Sequence, residues 1–388
     1  MDLRERIARR QSAHGDRGIV VDRDHLSPVV HRPQPIGRGP VLERCLDALE
    51  PIFDGDLPPP IAVVGPPGAG TSAVVTALFA GLGERLGGSR RAIATTTRGG
   101  SETPTTWFVY VDSRRTESAF AFYRAVLSAL SSETVPTGGV GTDDLRDRLR
   151  TRLDRPARRA VVAIDHHDEP ATLSYGRARE LLDPVADSVS TVAVGVREPA
   201  DWSGETVSVP AYRRHELVDV LTERASAGLA AGAFDHGSIR DLARWADGNA
   251  HDGLAALFGT ARLASEAGAD RLEPVYFEEG KAAVPPDSVH VGRALALSET
   301  RRRVLLELVD REPADRPIGD LAADVAAGSS LTTGTVKRLL YELADRGVLE
   351  RRQLPSNGSG RRPSTVEPRF PTLVYRALVS EPGDDGEI

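Results

Sequence analysis

The stretch from Ile61 to Leu86 constrains this chain more than any other. Ile61-Ala62-Val63-Val64 is a short apolar run, Gly65-Pro66-Pro67-Gly68-Ala69-Gly70 is a glycine-rich turn, and Val74, Val75, Leu78, Phe79 and Leu82 then recur at helical spacing over 71–86. A buried strand that turns through glycines into a helix predicts a βα unit of a parallel sheet. The same spacing is that of a phosphate-binding P-loop, in the required strand–turn–helix context. Glycines let backbone N–H groups converge on phosphate oxygens, and the helix start adds a favourable dipole.

Gly65, Pro66, Pro67, Gly68, Ala69, Gly70, Thr71 and Ser72 are therefore the candidate nucleotide cradle. The position after Gly70 should carry a lysine whose ammonium reaches the outer phosphates, and here it is Thr71. Losing one charge-assisted contact costs about 1.5–3 kcal/mol, roughly 10–150-fold in affinity. Ser72 remains placed to contact Mg²⁺ through its hydroxyl. The alternative reading is a plain glycine-rich turn with no ligand.

Three further buried strands are predicted at Trp107–Val111, Ala160–Ile164 and Thr191–Val194, with an amphipathic helix near 117–131. Pro40 to Phe53 carries Val41, Leu42, Leu46, Leu49 and Ile52 at helical spacing. Strands alternating with helices imply an α/β fold whose parallel sheet is covered on both faces. Gly87 to Thr106, with Arg90, Arg91 and Arg98, reads as a disordered loop, with a DNA-facing loop as the alternative. The strand ending at Ile164 runs into Asp165-His166-His167-Asp168. An apolar strand ending in Asp is the Walker B pattern, which makes Asp165 a second candidate for the Mg²⁺ shell. A structural strand whose polar end faces solvent is the alternative. Zinc ligation by His166 and His167 is disfavoured, because neighbours on an extended segment point to opposite faces.

From 212 to about 283 the pattern is helical throughout, and Pro285-Pro286 suggests a linker. Beyond it come helical patterns at 298–311, 317–327 and 332–346 and a polar Gly/Ser/Arg hairpin at 355–364, the order of a winged helix. The expected organisation is a flexible leader at 1–18, a nucleotide-binding-like core at 19–210, a helical lid at 211–286, a winged helix at 293–378 and an acidic tail at 379–388.

Composition narrows the class. At 388 residues, 40% hydrophobic and 27% charged, the chain is long enough for two or three folded domains and is not disordered. A single cysteine, Cys45, excludes a disulfide framework and a multi-cysteine zinc site. No apolar stretch is long enough to cross a membrane as a helix. The expected location is the cytoplasm. The net charge is −7 and only Lys281 and Lys337 are lysines, so there is no global basic signal for nucleic acid.

The basic charge is concentrated locally. Residues 293–370 hold fourteen Lys/Arg against eleven Asp/Glu. The helix at 332–346 would be the recognition helix, with Thr332, Thr333, Thr335, Lys337 and Arg338 towards a major groove and Val336, Leu339, Leu340 and Leu343 towards the core. Arg351 and Arg352 precede the wing, and Arg361 and Arg362 sit at its tip, where arginines meet phosphates or a minor groove. The alternative is a winged helix used for protein contacts, with solvated arginines.

The order of these elements, together with Ile36-Gly37-Arg38, Phe108-Val109-Tyr110-Val111-Asp112-Ser113, Tyr212-Arg213-Arg214-His215-Glu216-Leu217 and Gly248-Asn249-Ala250-His251, resembles an AAA+ ATPase. More closely, it is similar to the archaeal origin-recognition and cell-division-control initiator family over roughly residues 19–378. The resemblance implies an AAA+ core, a helical lid beginning near Tyr212 and a C-terminal winged helix. It also implies ATP or ADP with Mg²⁺ as cofactor, with Tyr212 beside the nucleotide, and double-stranded DNA as partner. Other initiator subunits or a replicative helicase are further candidate partners, and no membrane is involved.

The departures are systematic. Thr71 replaces the P-loop lysine, His166 the catalytic glutamate and His251 the sensor-2 arginine, and Gly195-Val196-Arg197-Glu198 supplies no sensor asparagine. Together they imply a member that keeps the fold and has weak or lost hydrolysis. A slow ATPase, a winged-helix transcription regulator with an AAA-like core and a purely structural partner of an active initiator are the competing readings.

Overall fold

The computed structural model describes residues 18–86, 105–131, 134–311, 313, 315–355 and 362–380. The chain divides into two compact units, one from His31 to Ala211 and one that joins the residues up to Val30 to those from Tyr212 onwards.

The first unit is the α/β core. Its helices are α1 (Gly39–Ala48), α2 (Thr71–Leu86), α3 (Ala119–Leu130), α4 (Thr142–Leu153) and α5 (Tyr175–Leu182). Its strands are β1 (Ile61–Val64), β2 (Thr105–Asp112), β3 (Arg158–Asp165), β4 (Val189–Gly195) and β5 (Glu205–Ser208). The sheet order is β2-β3-β4-β1-β5, with every neighbouring pair parallel. All five strands therefore end on one edge, where the β1 turn leads into α2. Asp112 is level with Asp165, and Asp165 with Val194.

Period-two alternation splits the strand residues between two apolar layers. Ile61, Val63, Val161, Ala163, Val192 and Val194 face α1 and α2, where Cys45, Val74, Leu78 and Phe79 are buried. Ala62, Val109, Val111, Val162, Ile164 and Ala193 face Phe122, Val126, Leu145, Leu149 and Leu181 of the helices on the other side. Covering both faces explains why these strands read as continuous apolar runs.

The structure adds elements that the patterning leaves out. In α4 a single stripe, Leu145, Leu149 and Leu153, is buried within an otherwise charged segment. β5 is a four-residue edge strand with only Val207 buried, too short to alternate visibly. Thr105 and Thr106, expected in a loop, begin β2, because their backbones pair beside Arg158 and Arg159. The rest of that expected loop, 87–104, lies outside the described residues. The predicted 40–53 helix stops at Ala48 and tightens into a 3₁₀ turn over Glu50–Asp54, where Pro51 cannot donate an N–H.

The second unit is helical apart from one hairpin. Its longer helices are α6 (Arg214–Gly228), α7 (His236–Trp245), α8 (Ala250–Glu266), α9 (Pro274–Ala282), α10 (Glu299–Asp310), α11 (Ile318–Ala327), α12 (Thr333–Asp345) and α13 (Thr372–Ser380). α8 is the buried centre of the lid helices. Gly280 lets α9 cross it closely, since a Cβ there would lie 2.7 Å from the Ala256 carbonyl oxygen. α10 to α12 and the antiparallel pair β6 (Leu349–Gln353) and β7 (Ser364–Pro368) follow in the order expected of a winged helix. α13, which the sequence reading leaves out, buries Val374 and Tyr375, and the Tyr375 hydroxyl donates to the Arg302 carbonyl at 2.8 Å.

Residues 19–30, expected at the front of the core, belong here instead. Val21 and Asp22 donate their N–H groups to the Gly228 carbonyl. The buried Arg224 guanidinium donates to the carbonyls of His25 and Val30, a long-range tie no local pattern reveals. Residues 1–17 and 381–388, most of the expected leader and tail, lie outside the described residues.

Candidate nucleotide site and nucleic-acid interface

The P-loop forms as its spacing requires. A Cβ at Gly65 would sit 2.4 Å from the Val209 carbonyl oxygen, so only glycine fits between β1 and the segment after β5. Gly68 and Gly70 have φ of 73° and 81°, the left-handed region open to glycine. Ala69 N–H donates to the Pro66 carbonyl at 3.0 Å, closing the turn. α2 then begins at Thr71, so the loop leads directly into a sixteen-residue helix N-terminus.

One side chain holds this loop from behind. Arg38 is buried at 1% exposure, donates from Nε to the Ala69 carbonyl at 2.9 Å and from Nη2 to the Pro210 carbonyl at 3.0 Å. The sequence singles out Ile36-Gly37-Arg38 only as a resemblance, and the structure supplies the reason for the arginine.

At the end of β3, Asp165 is fully buried. Its Oδ2 accepts a 2.6 Å hydrogen bond from the Tyr110 hydroxyl, and its Oδ1 accepts the His166 N–H at 2.7 Å. Burial, and then the nearby Asp165 carboxylate, hold the Tyr110 pKa well above its usual range, so the phenol stays a donor. His166 has φ of +59° and is not extended. The geometric ground for setting it aside therefore does not hold, since the left-handed turn folds its ring back over the carboxylates. Nε2 lies 3.5 Å from Asp165 Oδ2, and Nδ1 lies 3.4 Å from Glu169 Oε1. Burial alone would lower the His166 pKa, but the Asp165 and Glu169 carboxylates outweigh it and the net direction is up.

Beside them, Asp112 grips Arg114 through bonds of 3.0 and 3.2 Å. Burial would raise the Asp112 pKa, and the Arg114 charge overrides this to pull it down. Asp112, Arg114, Asp165, His166 and Glu169 are thus a largely internally matched cluster.

These residues fit a nucleotide only in part. The loop backbone and the α2 N-terminus suit phosphate oxygens, with Ser72 the second residue of the helix. Asp165 does not suit a metal shell in this arrangement, because both of its oxygens serve protein donors and neither is exposed. The sensor position after β4 is also taken. Asp168 Oδ2 accepts the N–H groups of Val196 and Arg197, both at 3.0 Å.

Within the second unit, Tyr212 is buried and its N–H donates to the Gly248 carbonyl at 3.1 Å. His251, at the sensor-2 position, uses both ring nitrogens locally. Nδ1 lies 3.0 Å from Asp252 Oδ1, and Nε2 accepts the Val291 N–H at 3.1 Å. Because Val291 must donate, the ring proton belongs on Nδ1. The ring also stacks on His290 with centroids 4.3 Å apart.

In the winged helix, Thr332 caps α12 by accepting the Thr335 N–H at 3.2 Å. Thr335 is half-buried, with its hydroxyl 2.9 Å from the Thr332 oxygen. Thr333, Lys337 and Arg338 are exposed, while Val336, Leu339, Leu340 and Leu343 are buried, as the periodicity predicts. The hairpin arginines differ from one another. Arg351 lies over the Tyr341 ring and donates to Ser364 Oγ at 3.2 Å. Arg352 pairs with both Glu350 and Glu367, so its charge is matched within the hairpin. Arg362 is exposed, and Arg361 lies outside the described residues.

Comparison with known proteins agrees with the fold. The AAA ATPase domain family matches residues 34–194. The ORC1-type DNA replication protein 1 of Sulfurisphaera tokodaii is 22% identical over 64% of this chain and 63% of its own length, so the chain spans less than two thirds of that relative. The ORC1-type DNA replication protein of Methanoregula boonei is 24% identical over 81% of this chain and 74% of its own length. Among solved structures, the Aeropyrum pernix ORC1 protein in complex with DNA superposes with a TM-score of 0.61 at 21% identity, covering 95% of this chain and 98% of that one.

Proposed function

We propose that the chain is a member of the archaeal origin-recognition/Cdc6 family of AAA+ proteins, to which it is similar, and that it is a duplex-DNA-binding initiator-like protein of the cytoplasm with weak or lost ATP hydrolysis. Its three working parts are the core, the lid and the winged helix. The observation that carries the loss of hydrolysis is Asp165, buried with its oxygens on Tyr110 and His166. Thr71 and His166 supply neither the phosphate-reaching ammonium nor the water-orienting carboxylate.

The P-loop backbone and Ser72 would hold the phosphates, and a bound nucleotide would act as a conformational ligand. Arg38 keeps the loop in shape from behind. DNA binding rests on the exposed Thr333, Lys337 and Arg338 of α12 and on Arg362. The excess of basic residues in 293–370 agrees with it, and so does the DNA complex of the Aeropyrum pernix relative. No helix among the described residues is long and apolar enough to cross a membrane.

Calorimetry with ATP and ADP, a turnover assay and DNA anisotropy on the full chain test this reading. DNA binding with no measurable turnover is the expected outcome. Turnover that Asp165→Ala abolishes would overturn the loss of hydrolysis, and no affinity for duplex DNA at low salt would overturn the role.

A further inference from the structure

The core unit holds a cavity of about 890 Å³, away from the P-loop and walled by α5, the ends of β3 and β4 and the segment leading into β5. That volume lies within the range of small-ligand sites. Its inner wall is aromatic. Tyr175 and Trp202 meet edge to face with centroids 5.7 Å apart, and His167 lies 5.8 Å from Tyr175. The wall is held in place: the Tyr175 hydroxyl is 2.7 Å from Thr191 Oγ1, and the Trp202 indole N–H donates to Thr206 Oγ1 at 3.1 Å. Thr206 in turn donates to Glu198 at 2.7 Å, which fixes a carboxylate beside the indole.

Two independent features point to a ligand. His167 is buried at 7% exposure, yet its Nε2 has no hydrogen-bond partner among the described residues. A buried polar atom left unmatched is costly, and a donor on a ligand would satisfy it. The rim, moreover, is acidic. Glu180, Asp183, Glu198, Asp201 and Glu205 line it against Arg179 and Arg197. Glu180 already pairs with Arg177, whereas Asp183, Asp201 and Glu205 have no cationic partner among the described residues.

We propose that this cavity binds an organic cation, an alkylammonium or guanidinium group, seated against Trp202 with an N–H towards His167 and its charge facing the rim carboxylates. Aromatic faces attract cations through their quadrupole, and desolvation strengthens that attraction. The nearby carboxylates add a salt-sensitive attraction. The two natural sources of this chemistry are a free polyamine and the side chain of a basic residue on another protein.

The test titrates the full chain by calorimetry with putrescine, with N-acetyl-arginine methylamide and with uncharged butanediol. Saturable one-to-one binding of either cation, absent for butanediol and weakened by salt, is expected. The preferred probe tells the sources apart: putrescine for a free amine, the arginine derivative for a protein side chain. Trp202→Ala should weaken binding about tenfold, and His167→Phe, which keeps a ring and removes the nitrogen, about fivefold. The exposed pair Asp183→Asn and Asp201→Asn leaves the packing intact, and it should weaken binding and flatten its salt dependence. No saturable binding of either cation, equal binding of butanediol, or cation binding unchanged in the rim variant would overturn the proposal.

Discussion

The Tyr110 hydroxyl donates a 2.6 Å hydrogen bond to Asp165 Oδ2, joining neighbouring parallel strands at the end where the P-loop opens. The bond matches half of a buried carboxylate and turns it inward. Tyr110→Phe removes the donor and leaves that oxygen only the 3.5 Å contact with His166 Nε2. A loss of about 1–3 kcal/mol of stability is expected, read from urea unfolding of the full chain. An unchanged midpoint would mean the tie is dispensable.

Restoring the missing groups tests the site in the opposite direction. Thr71→Lys alone should tighten ATP binding by roughly 10–150-fold with little turnover, because no residue orients water. Combining Thr71→Lys with His166→Glu should add measurable hydrolysis. Calorimetry and phosphate release separate the two effects. If the double variant gains neither, the substituted positions are not what limits the site.

The cluster around His166 also predicts a pH dependence. The His166 pKa is raised above its ordinary value of 6.5, so the charged ring is favoured in the folded state. Its contribution to stability is complete below 6.5 and fades as pH rises through the higher folded value. Thermal unfolding across pH 6–9 should show this decline in the native chain and lose it in His166→Asn, since asparagine tolerates the left-handed φ. A parallel decline in the variant would assign the effect elsewhere.

The paired and exposed arginines of the winged helix should behave differently towards DNA. Removing one cation that neutralises a phosphate lowers the salt slope of affinity by about one unit. Lys337→Ala with Arg338→Ala should therefore weaken duplex binding and flatten its salt dependence. Arg352→Ala should change affinity little, because Glu350 and Glu367 already match that charge. Anisotropy titrations at several salt concentrations give both slopes. Equal effects from the two variants would mean the hairpin opens on binding.

Local pattern carries most of this fold. The strand–turn–helix of 61–86, the apolar runs of β2, β3 and β4 and the stripe of α12 are legible because each buries a periodic set of side chains. The substitution at Thr71 is equally visible, since the P-loop position is read from spacing alone, whereas His166 and His251 stand out only against the family that the chain resembles. The one-stripe α4, the four-residue β5 and α13 are not legible, because what stabilises them is packing against residues distant in sequence. The same holds within the site. That Tyr110 faces Asp165 follows from strand register, and that Arg38 reaches Ala69 and Pro210 follows from chain closure over as many as 172 positions. His166 reads as extended from sequence and is not, because a left-handed φ at a non-glycine residue is imposed by its surroundings, here the carboxylates of Asp165 and Glu169. Residue identity sets which groups are present along this chain, and the closing of the sheet sets which of them meet.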